Sequence, residues 1–354
     1  MMLAGFLDVW PKCRPLFCCV SKRQQSVLRH RFPLVMWIAE GEPEPRYDLW
    51  LGVGDTPIQV NSGLFFLEHL EIEFKKAKAL GASIVLAGIG AEREATKERT
   101  RFSKALSMVD LISTRDGETS QMLTSEFSVD PSRIMVGEDL AHIYLKRLAT
   151  RTTEMDLRPL GVAVNYYAEG MSRRDSLAVL RWLKRQKSVP RTAAFLSNEG
   201  RMTLSMESRH YAELAWCTCL DKQSESVALI TPNCWAPDLD SMVCHFSMIQ
   251  TVLSSRFHCL LSAAWFGCKV YGLGRSSKVA TLCKGIGINF TERRGVNAAT
   301  LDNGFSAAGP VCPKLLDTKA EGGRAAVEQL LCRLPGFQSE PPVGVPAKPM
   351  GSQS

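Results

Sequence analysis

Residues Ser83 to Ile89 read SIVLAGI, apolar at nearly every position and free of charge. A strand that is apolar on both faces is buried on both faces, which is the condition of a central parallel strand covered by helices above and below. On its N-terminal side lies a helical stretch from about Ser62 to Leu80, preceded by a strand candidate, Asp48 to Val53. On its C-terminal side an Arg-, Lys- and Glu-rich helix runs to about Met108, followed by Asp110 to Thr114 (DLIST), a helix to Phe127, a turn at Asp130-Pro131 and a strand Ile134 to Val136. Short aliphatic runs alternating with helical stretches predict parallel strands joined by crossover helices.

The plan recurs in the second half. Thr150 to Pro159 is polar and ends in proline before a fresh strand, Leu160 to Asn165, which places a domain boundary there. A helix from Ser172, with Asp175 completing a capping box, runs to about Gln186. The strand Val227 to Thr231 and a helix near Leu239 to Ile249 come next, then strand Thr251 to Leu253 and helix Phe257 to Phe266. Strand Lys269 to Gly272 and helix Ser277 to Lys284 close the series. Beyond Asn303 the chain thins into Gly, Ala, Pro and Ser, with one short helix expected over Ala320 to Cys332. The expected organisation is an unassigned segment over 1–46, an acceptor-side Rossmann-like domain over 47–150, a donor-side Rossmann-like domain over 151–302 and a largely flexible extension over 303–354.

A chain of 354 residues with 45% hydrophobic and 22% charged residues suits two globular domains. The formal charge of +7 is mild, favours anionic small molecules, and comes without the clustered aromatics that nucleic-acid binding needs. Basic runs at Lys22 to Arg31 and Arg173 to Lys187 read as solvated faces. Twelve cysteines are scattered, and Cys259, Cys268 and Cys283 sit in apolar runs, the pattern of reduced buried thiols and a cytoplasmic protein. Cys217 and Cys219, with His210 upstream, form a C-x-C that lacks the second pair a metal site needs, so no metal is expected. Met1 to Trp10 is apolar but carries Asp8 and precedes Pro11, so it fails as a secretory signal, and no run approaches the ~20 apolar residues of a membrane span.

The segment with most chemistry is Ser254 to Gly267, SSRFHCLLSAAWFG: a strand end, a serine cap, and a helix whose first turn holds Arg256 and His258. A helix start presents unpaired N–H groups and the positive end of a dipole, so a guanidinium and an imidazole there build an anion site with a proton donor beside it. The bland alternative is a surface arginine and a core histidine bonded to backbone.

R-F-H at Arg256, Phe257 and His258, followed by Gly267, Gly272 and Lys278, resembles the R-x-H…G-x-P…K pattern of polysaccharide pyruvyl transferases, with Lys269 where the proline usually stands. Arg115 and Asp116 in LISTRDGETSQML are similar to the Arg-Asp pair of that family, and Asp139 to Ala141 to its Asp-x-Ala. The resemblance spans roughly Asp48 to Ile288. It implies an α/β fold of two Rossmann-like doubly wound domains facing a cleft, GT-B-like, and an enzyme moving pyruvate from phosphoenolpyruvate onto a hydroxyl pair of a sugar or lipid-linked glycan, with no cofactor. It also implies His258 as general acid, Arg115, Arg256, Phe257 and Lys278 as donor-binding residues, and Asp116, Asp139 and Gly272 as supports. From the residues themselves, Asp116 and Asp139 read first as a helix cap and a turn residue.

Two other readings stay open. A glycosyltransferase or sugar-nucleotide epimerase of the same architecture would bind diphosphate at the same helix starts and needs an acidic residue late in the second domain, for which Glu292 is the candidate. A noncatalytic degenerate homologue would account for the lack of the glycine- and asparagine-rich opening loop that the family carries.

Overall fold

The computed structural model describes residues 1–11, 16–20, 25, 29, 35–39, 41–60, 63–149, 158–163, 178, 182, 193–196, 227–230, 243, 245–273, 277–291 and 297–334. The chain folds as two α/β domains built on parallel sheets, a GT-B-like pair of Rossmann-like units.

In the first domain β3 (Leu49–Val53), β4 (Ser83–Ile89), β5 (Leu111–Thr114) and β6 (Ile134–Val136) pair in parallel in that order. A separate parallel pair, β1 (Leu16–Val20) with β2 (Val35–Ala39), precedes them. SIVLAGI is β4, and its side chains divide by period two up to Ala87, after which an irregularity between Leu86 and Ile89 shifts the alternation by one. Ile84, Leu86 and Ile89 join the core beneath α2 (Phe65–Ala79) and α3 (Arg99–Ser107), whereas Val85 and Ala87 face a second core on the other side. Helix α2 begins three residues later than expected, after Leu64.

The helices of that second core come from both ends of the sequence. Helix α1 (Met2–Val9) buries Ala4, Gly5 and Phe6, so the apolar opening is a docked helix. Helix α9 (Pro313–Cys332) buries Val327, Leu330 and Leu331 against Val85, Ala87 and Met135 of the first sheet. This corrects the expected flexible extension: the stretch that thins into small residues after Asn303 still holds α8 (Ala298–Ala307) and twenty residues of α9, which starts seven residues ahead of the helix expected at Ala320. The small residues permit close approach. A β-carbon on Gly137, just beyond β6, would stand 2.5 Å from the Ala326 methyl of α9.

The second sheet runs β12-β11-β10-β7-β8-β9, all parallel. Its strands are β7 (Arg158–Ala163), β8 (Ala193–Leu196), β9 (Val227–Ile230), β10 (Ile249–Ser254), β11 (Lys269–Leu273) and β12 (Asn289–Thr291), of which β8 and β12 are not foreseen from the sequence. The order reverses between β7 and β10, and in such sheets ligands bind outside the strand carboxyl ends at the reversal. The helix expected up to Ile249 gives way to a 3-10 turn over His245–Met248, and Ile249 already belongs to β10. The basic run Arg173 to Lys187 with its capping box falls largely outside the described residues, and His210, Cys217, Cys219 and Glu292 lie wholly outside them. Cys259, Cys268 and Cys283 are buried free thiols, and burial pushes Cys268 and Cys283 up to about 12. Among the described residues no helix is long and apolar enough to cross a membrane.

Helix α5 (Ala141–Ala149) joins the two halves. Leu140 and Ile143 belong to the core shared with α9, whereas Ala141, Tyr144, Leu145 and Leu148 belong to the core of the second domain. Replacing Leu330 of α9 by Ala should cost about 2–5 kcal/mol, as large-to-small core changes do, read as a lowered urea midpoint with the first domain losing its protection against hydrogen exchange.

Candidate functional site between the two domains

Each sheet delivers its strand ends to the same place. From the first domain, β4 runs into Gly90, β5 into Arg115 and Asp116, and β6 into Glu138, Asp139 and the start of α5. From the second, β10 at the reversal point runs into α6 (Phe257–Trp265), whose first two residues are Phe257 and His258.

Arg115 is 7% exposed, a cation held in the interior. Its Nε lies 3.5 Å from Asp116 Oδ2, and its guanidinium stacks over the Phe257 ring of the opposite domain at 5.1 Å. The third support is Gly90, where any β-carbon would collide with the guanidinium. Asp116 is the N-cap of α4 (Gly117–Ser125), accepting the Thr119 N–H at 2.6 Å. That is the capping role read from its sequence, and the same carboxylate faces Arg115 with its second oxygen.

Asp139 is 4% exposed. Its Oδ1 accepts the Ala141 N–H at 2.9 Å at the head of α5, which aims Oδ2 across the domain boundary to 3.9 Å from His258 Nε2. That nitrogen is shielded from solvent and has no hydrogen-bond partner among the described residues. Burial holds the His258 imidazole below the usual histidine range, with Asp139 pulling the other way and Arg115 adding to the depression. In this state His258 is a neutral base facing a carboxylate.

Lys278, in the first turn of α7 (Ser277–Ile286), crosses the boundary as well, with Nζ 3.5 Å from Oε1 of buried Glu92. Thr281 on the same helix donates to Glu118 Oε2 at 2.9 Å. A crevice of about 70 Å³ opens between these groups, walled by Arg115, Asp116, Glu138, Asp139, His142, Phe257, Lys278 and Lys319.

Two expected residues stand elsewhere. Gly272 lies in β11, where a β-carbon would meet Cys283 Sγ at 2.6 Å and Phe290 Cβ at 2.8 Å, so its smallness serves sheet and helix packing. Arg256 is the N-cap of α6 with extended backbone, its N–H donating to Ser254 Oγ at 2.9 Å, and it is not among the crevice walls. Of the expected site residues, Arg115, Asp116, Asp139, Phe257 and Lys278 wall the crevice, with Lys319 beside them, whereas His258, like Arg256, is not among its walls. Nor does Ser254 cap α6 itself; it braces the residue before the helix.

Sequence reasoning missed four residues here. Lys319 reaches the crevice because Gly322 and Gly323 let α9 lie against Glu138, whose Oε1 sits 2.7 Å from Lys319 Nζ. Burial raises the Glu138 carboxyl, and Lys319 opposes that rise. His142, 2% exposed, accepts the Trp265 Nε1–H from the opposite domain at 3.1 Å through Nδ1, and burial pushes it down to about 4. A polar residue immediately before the apolar run Ile143 to Leu145 of α5 was the available signal for His142. Nothing local marks Lys319 or Trp265.

Two outcomes follow. Gly90→Ala should displace the Arg115 guanidinium, lowering turnover at least about tenfold and also lowering the urea midpoint, since an added carbon in a packed interior costs about 1–3 kcal/mol. The second concerns acid: the unfolded chain protonates its imidazoles near pH 6.5, whereas His142 refuses a proton until about 4. The unfolded state thus binds protons first, and stability should fall as pH drops from about 6.5 to 4, by up to about 3 kcal/mol from this group. His142→Gln should flatten that window in pH-dependent urea titrations.

No family model and no curated protein matches the chain. Solved structures do. UDP-GlcNAc 2-epimerase from Methanocaldococcus jannaschii aligns with a TM-score of 0.59 and 12% identity over 93% of this chain and 95% of that one. The S. aureus MnaA-UDP co-structure aligns at 0.58 and 12% over 93% and 91%. Anabaena HepE in complex with UDP and glucose aligns at 0.53 and 11% over 93% and 90%. At such identities the likeness is one of fold, and it places the two parallel-sheet domains described above among GT-B-like architectures.

Proposed function

We propose that this chain is an enzyme of sugar metabolism that holds a phosphate-bearing donor between its two domains and transfers or rearranges the group the donor carries. The observation behind this reading is the meeting, at the strand carboxyl ends of both sheets, of buried Arg115 beside Asp116, Lys278 beside Glu92, and two imidazoles that feel the Asp139 carboxylate. A guanidinium that is already desolvated and held on three sides binds a phosphate oxygen at little reorganisation cost.

A nucleotide sugar is the donor class we favour, in a glycosyltransferase or epimerase reaction. It is supported by the solved structures of similar fold that contain UDP, one of them with glucose. Arg115 and Lys278 would meet the diphosphate, Lys278 exchanging Glu92 for it, while neutral His258 takes a proton from a sugar hydroxyl or carbon and Asp139 stabilises the imidazolium that results.

One observation favours a second reading, pyruvyl transfer from phosphoenolpyruvate. The residues carrying the sequence resemblance, Arg115, Asp116, Asp139, Phe257, His258 and Lys278, come from both halves of the chain and stand together. In that reaction a dianionic donor would raise the His258 affinity for a proton. The imidazolium would then protonate the methylene carbon, one sugar oxygen would bond to the adjacent carbon, and phosphate would leave as the second hydroxyl closes the ketal.

The two are separated by incubating the protein with UDP-hexoses, following UDP release or epimerised product, and in parallel with phosphoenolpyruvate and sugar acceptors, following phosphate release. Turnover of a UDP-hexose is expected, lowered about 10²–10⁴-fold in His258→Ala, the usual contribution of a general base. Turnover of phosphoenolpyruvate alone would install the second reading, and a fully active His258→Ala would remove this site from either mechanism.

A further inference from the structure

His142 is the most confined titratable group of the interdomain region, and neither donor reading uses it. It sits at the second position of α5, 2% exposed, with its ring forming part of the crevice wall. An indole N–H can only donate, so Trp265 fixes the Nδ1 of His142 as an acceptor, and a neutral imidazole must then carry its proton on Nε2. The ring is packed edge-on against Trp265, at 6.0 Å between centroids and 68° between planes, which leaves Nε2 as the nitrogen available to the crevice. A ligand oxygen in the crevice would give that N–H an acceptor.

The geometry points to His142 as a substrate-binding residue: its Nε2–H, the tautomer that Trp265 fixes, donates to an oxyanion oxygen of the donor molecule in the crevice between Arg115, Lys278 and Lys319. The inference rests on the phosphate-bearing donor proposed above and adds a specific ligand to that site. The walls carry Asp116, Glu138 and Asp139 as well as the three cations, so the crevice is close to charge balance. A neutral donor adds a hydrogen bond there without adding charge, and it holds its proton through turnover because deprotonating neutral imidazole lies far outside the working pH. The division of labour between the two histidines follows from their partners: His258 Nε2 faces a carboxylate and can exchange a proton, whereas His142 is locked by an indole and cannot. Helix α5 packs Tyr144, Leu145 and Leu148 into the same core that Trp265 lies against, so the packing of α5 sets the tautomer.

The oxyanion can be a phosphate of a sugar nucleotide or the phosphate or carboxylate of phosphoenolpyruvate, and the probes tell these apart. Selective ¹⁵N-histidine labelling of the full chain, with the His142 signals assigned by their loss in His142→Gln, reads the tautomer directly. The expected spectrum shows Nε2 protonated and Nδ1 bare from pH 8 down to pH 5. UDP, phosphoenolpyruvate and inorganic phosphate are then titrated in turn, following the His142 Nε2 shift and the affinity by calorimetry. At least one probe should move that resonance, and the same probe should bind His142→Phe about tenfold or more weakly but His142→Gln within about threefold, since the Gln amide can donate from a similar reach. Trp265→Phe should show a mixed tautomer and intermediate affinity.

A proton on Nδ1, or an imidazolium at pH 6, would overturn the inference. So would undiminished binding to a folded His142→Phe when Arg115→Lys has lost it, a result that leaves the donor site standing. Failure of all three probes to bind the wild-type protein would sink the donor site and this inference together.

Discussion

Helix α5 is short, nine residues, and it is asked to satisfy two cores at once. Ile143 and the preceding Leu140 pack under α9 and β4, while Tyr144, Leu145 and Leu148 pack into the domain built on β10 and β11. Such a helix has little freedom to rotate or slide, because moving it to suit one core opens a void in the other. Its start is fixed in the same way, with Asp139 accepting the Ala141 N–H. The positions of Asp139 and His142 are therefore set by hydrophobic packing on both sides of the molecule rather than by the polar groups they meet.

That rigidity explains how oppositely charged and titratable groups coexist in a small space. Arg115 is buried with one carboxylate near its Nε, a glycine under its plane and an aromatic ring over it, each contributed by a different segment. The two imidazoles stay neutral because burial outweighs the attraction of Asp139. The result is a site prepared for charge to arrive from outside, which is what an anionic substrate brings.

The fold was legible wherever strands are apolar on both faces. Ser83 to Ile89 and Ile134 to Val136 were read to the residue, and β10 and β11 to within a few positions. Legibility failed where small residues stand for packing rather than for looseness: the glycine pair of α9 and the alanines of α8 look like a tail in one dimension and are close contacts in three. Among the site residues, Arg115, Asp116, Asp139, Phe257 and His258 follow strand ends or open helices, so their sequence context gives them away. His142, Trp265 and Lys319 act through partners more than a hundred residues distant, and no local pattern encodes such a meeting. Gly272 shows the converse, a motif match whose geometry serves packing.

The return of α9 to the first sheet has a bearing on biosynthesis. A nascent chain carrying residues 1–149 has made every strand of the first domain and still lacks the helix that covers Val85, Ala87 and Met135. That sheet must wait, one apolar side open, while the entire second domain is translated. The second domain is in effect an insertion within the first, tethered at both ends. Ribosome-bound intermediates should consequently be chaperone clients until residue 332 has emerged.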